Sequence, residues 1–423
     1  MRHRFHAPAF AVALCTLSAA TAQADPVDLL AAAEPKKLDP LVVTGNPLRD
    51  KDFVAPVSVL KDEEMLLRRA GSLGDTLAGL AGVSSTFFGP NSGRPIIRGL
   101  DGDRVRILSN FGASFDASSL SFDHSPAIDP LAVERVEVLR GPAALLYGGT
   151  AIGGVVNIID RRVAREPLSG SGAIVEARSG GAERENGLSA ALDAGNGLFA
   201  IHADGATRET ADYAVPSAAG RGKRIVNSAG DSKGGAIGIS AAADWGYAGI
   251  SRSEHRSQYG TVAEPDVRID MRQSRTAFES EWRPAAGAAF ESFSLRAGHT
   301  VYRHTEFEGS TAGTIFDSSG SDLRIEARHR ALGPLAGVVG VQGDRSRFSA
   351  LGEEAFVPAT ESRNRAVFLF EELTTGAIKW SLGLRQEQNR VASSGDTGGG
   401  NGRFGVARER RFNPTSASLG ATL

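Results

Sequence analysis

Two patterns of apolar and polar positions divide the chain. Over residues 57–83 the apolar positions are helically spaced. Asp62-Glu63-Glu64 leads into Met65-Leu66-Leu67, with acidic residues where a helix start favours them. Leu73, Leu77 and Leu80 mark a second short helix, opened at Ser72 and stopped near Gly82. Arg94-Pro95-Ile96-Ile97-Arg98-Gly99 and Arg104-Val105-Arg106-Ile107-Leu108 predict short strands around the turn Asp101-Gly102-Asp103, and residues 111–129 read as a loop. Residues 133–161 form a unit: an alternating strand, a Gly141-Pro142 break, a short apolar helix from Ala143 to Tyr147, a turn with Gly148, Gly149, Gly153 and Gly154, and the β-branched strand Val155-Val156-Asn157-Ile158-Ile159. Proline suits the first position of that helix, where no N–H is needed. Beyond about Gly170 the helical signals vanish and a period of two takes over. Leu323-Arg324-Ile325-Glu326-Ala327-Arg328, Ile378-Lys379-Trp380-Ser381-Leu382-Gly383-Leu384-Arg385, and Ile237, Ile239, Ala241 and Ala243 against Ser240 and Asp244 all carry one apolar face. Weakly hydrophobic, single-faced strands repeated over residues 170–423 are the pattern of a transmembrane barrel with a polar interior. A soluble sandwich would need a second apolar layer over these faces.

The N-terminus fits that reading. Arg2, His3, Arg4 and His6 precede an apolar stretch from Ala9 to Leu17, and Ala22-Gln23-Ala24 ends it, so residues 1–24 read as a secretory signal peptide. Cys15, the sole cysteine, leaves with the signal, and Leu14 before it argues against a lipoprotein. The exported chain therefore has no thiol or disulfide chemistry. No later apolar run approaches the ~20 residues of a membrane helix. A net charge of −2 offers no basic field for nucleic acid. Glycine, at 51 of 423 residues, is above the usual ~7% and fits a chain with many turns. Between polar flanks, Leu38-Asp39-Pro40-Leu41-Val42-Val43-Thr44-Gly45 is β-prone and suited to pair with another protein's sheet edge.

These residues carry a resemblance. Leu41, Val42, Val43, Thr44 and Gly45 resemble a TonB box, and the Arg98 motif with the whole 133–161 unit looks like the plug of TonB-dependent outer-membrane receptors. The resemblance implies a mixed α/β plug domain followed by a transmembrane antiparallel β-barrel. The divisions are a signal at 1–24, a periplasmic segment with the box at 25–52, the plug at 53–165 and barrel strands over 170–423. It implies residence in the outer membrane, contact with its lipid, and TonB as the partner that supplies energy to a membrane with none of its own. The plug would fill a barrel of about 22 strands. Arg98 and Arg140 would pair with wall glutamates, since buried charges need partners, and so latch the plug. Residues 170–423 supply about ten or eleven strands, about half such a barrel. The final Leu423 is not the aromatic residue usual in the family, so a truncated or split receptor is expected, or a surface protein that transports nothing.

Within the family, Ser121-Phe122-Asp123-His124, Ile269-Asp270-Met271-Arg272 and Gly340-Val341-Gln342 look most like the zinc-uptake branch. Imidazole and carboxylate are suitable zinc ligands, but Asp123 and His124 alone cannot complete a tetrahedral site. By resemblance Glu354 supplies a further carboxylate, and His304, with Glu306 and Glu308 nearby, lies in another expected external loop. The expected cargo is a small extracellular metal ion or complex, zinc favoured, with no resident cofactor. One departure weakens zinc. The His- and Asp-rich loop of that branch is replaced by residues 258–266, without histidine, which leaves room for a siderophore, haem or vitamin. Enzymatic readings fail on motif. No Gly-Lys-Ser/Thr follows the glycines, the Asp101 turn is too short for a calcium loop, and no Gly-x-Ser-x-Gly elbow accompanies Asp123-His124.

Overall fold

The computed structural model describes residue 48 and residues 57–121, 123–128, 130–216, 223–353, 355–396 and 402–423. All belong to one compact unit. The signal peptide, the box from Leu41 to Gly45, and Glu354 lie outside the described residues.

The first part is built on a mixed sheet. Its strands are β1 (Val57–Lys61), β4 (Val105–Ser109), β5 (Gly112–Ala113), β6 (Arg135–Leu139) and β7 (Gly154–Ile159), in the order β1-β6-β7-β4-β5; β2 (Val83–Ser85) and β3 (Pro95–Ile97) pair separately. Only β4 and β7 run parallel among these pairs. All six residues of β7 are buried, which is why its sequence is a continuous β-branched run and not an alternation. On one face, Leu60, Val136, Val138, Val156 and Ile158 pack with Met65, Leu73 and Leu77 of the helices α1 (Asp62–Arg68) and α2 (Leu73–Leu77). On the other, Leu139, Tyr147 and Val155 pack with Val338, Phe368 and Phe370 of the large sheet. Each such side chain contributes roughly 1.5–3 kcal/mol on burial. The second helix is shorter than its pattern: Ser72 caps it by accepting from the Asp75 N–H at 3.1 Å, and the positive φ of Gly79 ends it.

The second part is one antiparallel meander. Its strands are β8 (Ser169–Gly180), β9 (Glu185–Asn196), β10 (Phe199–Thr210), β11 (Gly230–Ala243), β12 (Gly246–Thr261), β13 (Glu264–Trp282), β14 (Phe290–Glu308), β15 (Thr311–Leu332), β16 (Leu335–Leu351), β17 (Thr360–Thr375), β18 (Ile378–Ser393), β19 (Arg408–Phe412) and β20 (Thr415–Thr422). Ten or eleven strands were expected and thirteen are present among the described residues. Part of the excess is one path counted twice: β19 and β20 both pair with β18, interrupted at Pro414, which has no N–H to give the ladder. Among the described residues β8 pairs with β9 alone, and the sheet does not close on itself.

Burial inverts the rule for water-soluble proteins. Leu323, Ile325, Leu382 and Leu384 are each about 40% exposed, whereas Arg324 and Arg385 next to them are buried at 2% and 1%. The period of two thus puts the apolar face outside and the charged face against the plug. There Arg324 and Arg385 both donate to the Leu146 carbonyl, at 2.8 and 3.1 Å, and Arg324 lies over the Tyr147 ring. Glu387 accepts from the Gly149 N–H at 3.1 Å, so closely that a Cβ on Gly149 would collide with it. The glycine turn serves close packing, and residues 160–168 are fastened to the wall through Arg162–Asp204 (3.0 Å) and Arg165–Glu279 (2.9 Å).

The expected arginine latch looks different. Arg98 is exposed, and among the described residues no carboxylate pairs with it. Its φ of +51° sits in the tight turn after β3, where Ile97 and Leu100 bond back to each other. Arg140 donates to the Ala81 carbonyl and to the Ser58 hydroxyl, both inside the plug.

Candidate metal centre

The plug loop that carries Asp123 and His124 is shaped by its own polar residues. Asp116 accepts from Ser114, from the Ser118 N–H and from the Ala127 N–H, drawing the two ends of the loop together. The wall then holds it: Tyr259 accepts from the Ser125 N–H at 3.0 Å, and Gln273 donates to the Ala127 carbonyl at 2.9 Å. His124 is consequently not an outward-facing loop residue but is buried at 2% exposure.

Opposite it stands β14. Tyr302, His304 and Glu306 are alternate residues on the inward face, and all three are buried. His304 was expected in an external loop; it lies within a strand, because β14 runs on to Glu308. His124 Nε2 is 2.8 Å from Glu306 Oε1, and His304 Nε2 is 3.8 Å from the same oxygen. One ligand atom from each of His124, His304 and Glu306 lies within 4.8 Å of the others. Tetrahedral zinc with bonds near 2.0–2.1 Å needs ligand atoms about 3.3 Å apart. The two separations measured from Glu306 bracket that value.

The far sides of both rings are held. Asp123 Oδ1 lies 2.9 Å from His124 Nδ1, and the Tyr302 hydroxyl lies 2.7 Å from His304 Nδ1. With the proton of each ring on Nδ1, facing these oxygens, both Nε2 atoms would be free to take an ion, the outer-shell arrangement typical of imidazole ligands. Phe316 stacks on His304 at 4.3 Å and meets His124 edge-on at 5.2 Å, closing one side with apolar surface. Burial opposes the charged form of His124, but the hydrogen bonds and charges of Asp123 and Glu306 outweigh it and push its pKa up to about 9. Burial would also raise Asp123, yet His124 beside it holds that carboxyl well below the usual range.

Of the four residues read from sequence, the structure brings His124 and His304 together and places Asp123 behind His124. Glu354 is outside the described residues. Glu306 was noted only as a neighbour, and Tyr302 was missed. Their signal was the spacing itself, since residues 302, 304 and 306 share one face of a strand. The missing histidine loop has a structural counterpart: residues 258–266 are the ends of β12 and β13 around a two-residue turn.

Residues 49–155 match the TonB-dependent receptor plug domain. A hemin receptor of Yersinia pestis is 30% identical over 195 residues, which are 45% of this chain and 28% of that receptor. A vitamin B12 transporter of Photobacterium profundum is 34% identical over 131 residues, 30% of this chain and 22% of the transporter. Among solved structures, the copper transporter OprC aligns with a TM-score of 0.73 at 16% identity, covering 86% of this chain and 59% of that one. The Serratia marcescens hemophore receptor HasR aligns at 0.67 and 16%, covering 88% and 60%. The chain thus spans about three fifths of those structures, and its matches span about a quarter of the curated relatives. The fold is a plug domain with a large antiparallel sheet of the kind that builds TonB-dependent receptor barrels.

Proposed function

We propose that this chain, with the plug and sheet of TonB-dependent receptors, acts in the outer membrane as a receptor that takes up a transition-metal ion, zinc favoured, with release driven by TonB at residues 41–45. The observation that carries the reading is the convergence of two imidazole Nε2 atoms and a carboxylate within 4.8 Å, backed by Asp123 and Tyr302. Two neutral imidazoles and a carboxylate suit zinc and its neighbours in the transition series, and three protein ligands leave a position open for an arriving or departing ion. The ligands are divided between bodies that must separate. His124 belongs to the plug, His304 and Glu306 to the wall, so any pull that displaces the plug loop dismantles the set. Haem fits this geometry poorly, because the His124 and His304 rings lie 4.4 Å apart, with no room for a porphyrin between them.

Calorimetry on the folded full chain in detergent tests the centre. His124→Ala and His304→Ala should each weaken zinc binding by about a hundredfold or more, and Asp123→Asn, which removes only an outer-shell charge, by roughly 10–100-fold. Zinc affinity unchanged in both histidine variants would defeat the assignment. A separate measurement addresses energy coupling. Val43→Pro removes an N–H from the β-prone box and should abolish zinc accumulation by cells while leaving zinc affinity intact; normal accumulation would contradict the role given to the box.

A further inference from the structure

The metal centre is framed by side chains that strand register sets beside its ligands. On the inward face His304 stands between Met271 of β13 and Phe316 of β15, and Glu306 between Ile269 and Thr314. Met271, Phe316 and Ile269 are each 1% exposed, and Thr314 is fully buried. Residues directly opposite one another on antiparallel strands have Cβ atoms about 4.5–5.5 Å apart. These four are therefore the nearest wall neighbours of the two ligands, and three of them are apolar.

Phe316 touches both imidazoles. Its ring centroid is 4.3 Å from that of His304, inclined by 23°, and 5.2 Å from that of His124, edge-on at 60°. Phe356 at 5.8 Å and Phe348 at 6.3 Å back the ring on the side away from the centre, with Ala350 and Ala355 packed beside them. The ring cannot swing aside without displacing that cluster. Inside the frame, His304 Nε2 is buried and makes no hydrogen bond among the described residues. A buried nitrogen without a partner is costly, and a bound ion relieves it.

We propose that Phe316, with Met271 and Ile269, makes this centre select its ion by coordination number, taking divalent ions that accept four ligands and rejecting those that need six. The inference rests on the metal-uptake reading of the same site. Two imidazoles, one carboxylate and one further position complete a tetrahedron, and zinc, with a filled d shell, has no geometric preference against it. Magnesium demands an octahedron and gives up water reluctantly. Manganese favours six oxygens, and nickel favours square-planar or tetragonal sets. For these ions the apolar frame stands where the additional ligands must go. Nickel is the decisive competitor, because it lies near zinc in the order of donor affinity and a preference between the two reports geometry.

Cobalt(II) is the probe, since a four-coordinate cobalt ion absorbs visible light far more strongly than a six-coordinate one. Titrated into the folded full chain in detergent, cobalt should give the intense four-coordinate spectrum and be displaced by zinc. Phe316→Ala opens the frame to water. Its cobalt band should weaken severalfold, and its preference for zinc over nickel, measured by competition, should shrink severalfold. Met271→Ala, on the other side of His304, should move both readouts in the same direction. Phe316→Leu stays large and apolar and should retain both, which separates loss of the frame from damage to the fold. A weak, six-coordinate spectrum in the wild type would overturn this inference alone, because the ion would still be bound. Folded Phe316→Ala and Met271→Ala variants with wild-type spectrum and zinc–nickel preference would overturn it too. Absence of any cobalt or zinc binding would overturn the metal-centre reading, and this inference with it.

Discussion

In the metal-free protein His124 is held as a cation between Asp123 and Glu306, and an arriving metal ion must replace its proton. The folded pKa of about 9 exceeds the ordinary 6.5, so the stabilisation from this pairing is fully present below about pH 6.5 and fades as pH rises through about 9. Metal binding runs the other way: between pH 7 and 8 it should release about one proton, with apparent zinc affinity rising toward pH 9. Calorimetry in buffers of differing ionisation enthalpy measures this directly, and no proton release at pH 7.5 would contradict the charged state assigned to His124. At this scale the sequence was partly legible. Asp123 and His124 were visible as a pair of suitable donors, whereas His304 was placed in an external loop and Tyr302 was missed, although residues 302, 304 and 306 share one strand face. That the two groups meet was not visible, because the distance from His124 to Glu306 is closed by the seating of plug in wall.

The elements followed their local rules more closely. The β-branched run of β7 became the fully buried central strand, and the Gly-Pro break became a 3-10 turn over Pro142–Tyr147. Gly154 shows the constraint most sharply, with φ at +145° and a would-be Cβ 2.7 Å from the Leu139 carbonyl oxygen. Gly154→Ala should therefore cost about 1–3 kcal/mol from strain alone. Gly172→Ala, where nothing lies within 4 Å of the added carbon, should be close to neutral. Denaturant midpoints of the two variants check the contrast; equal midpoints would show that the plug sheet has room the structure denies it. What the local pattern concealed was the number and length of the wall strands. Two-residue links such as Val262-Ala263 carry too weak a turn signal to separate strands as long as β12 and β13.

For the whole molecule, the apolar face of the large sheet is exposed and its charged face is buried against the plug, and under the proposed function the exposed face meets lipid. The assignment predicts a depth-dependent penalty. Val341→Arg, opposite Ile325 on the exposed apolar face, should impair folding into phospholipid vesicles by about 2–4 kcal/mol, whereas Ser321→Arg, opposite Arg345 nearer the strand end, should cost about 0–1 kcal/mol. A soluble protein would show no such gradient, so equal penalties in vesicles would count against the membrane orientation.

The periodicity alone determined that this chain is a mixed α/β domain followed by single-faced strands, because helix and strand spacings follow from backbone geometry that each short segment carries with it. It also determined which face of each strand is charged. Only the tertiary structure decided which face is exposed and which meets the plug, where Arg98 and Arg140 point, and that His124 meets His304 and Glu306 of β14. Those outcomes depend on contacts between residues as far apart as 124 and 306, and the relative position of two packed bodies is a property of their joint surface, not of any local stretch.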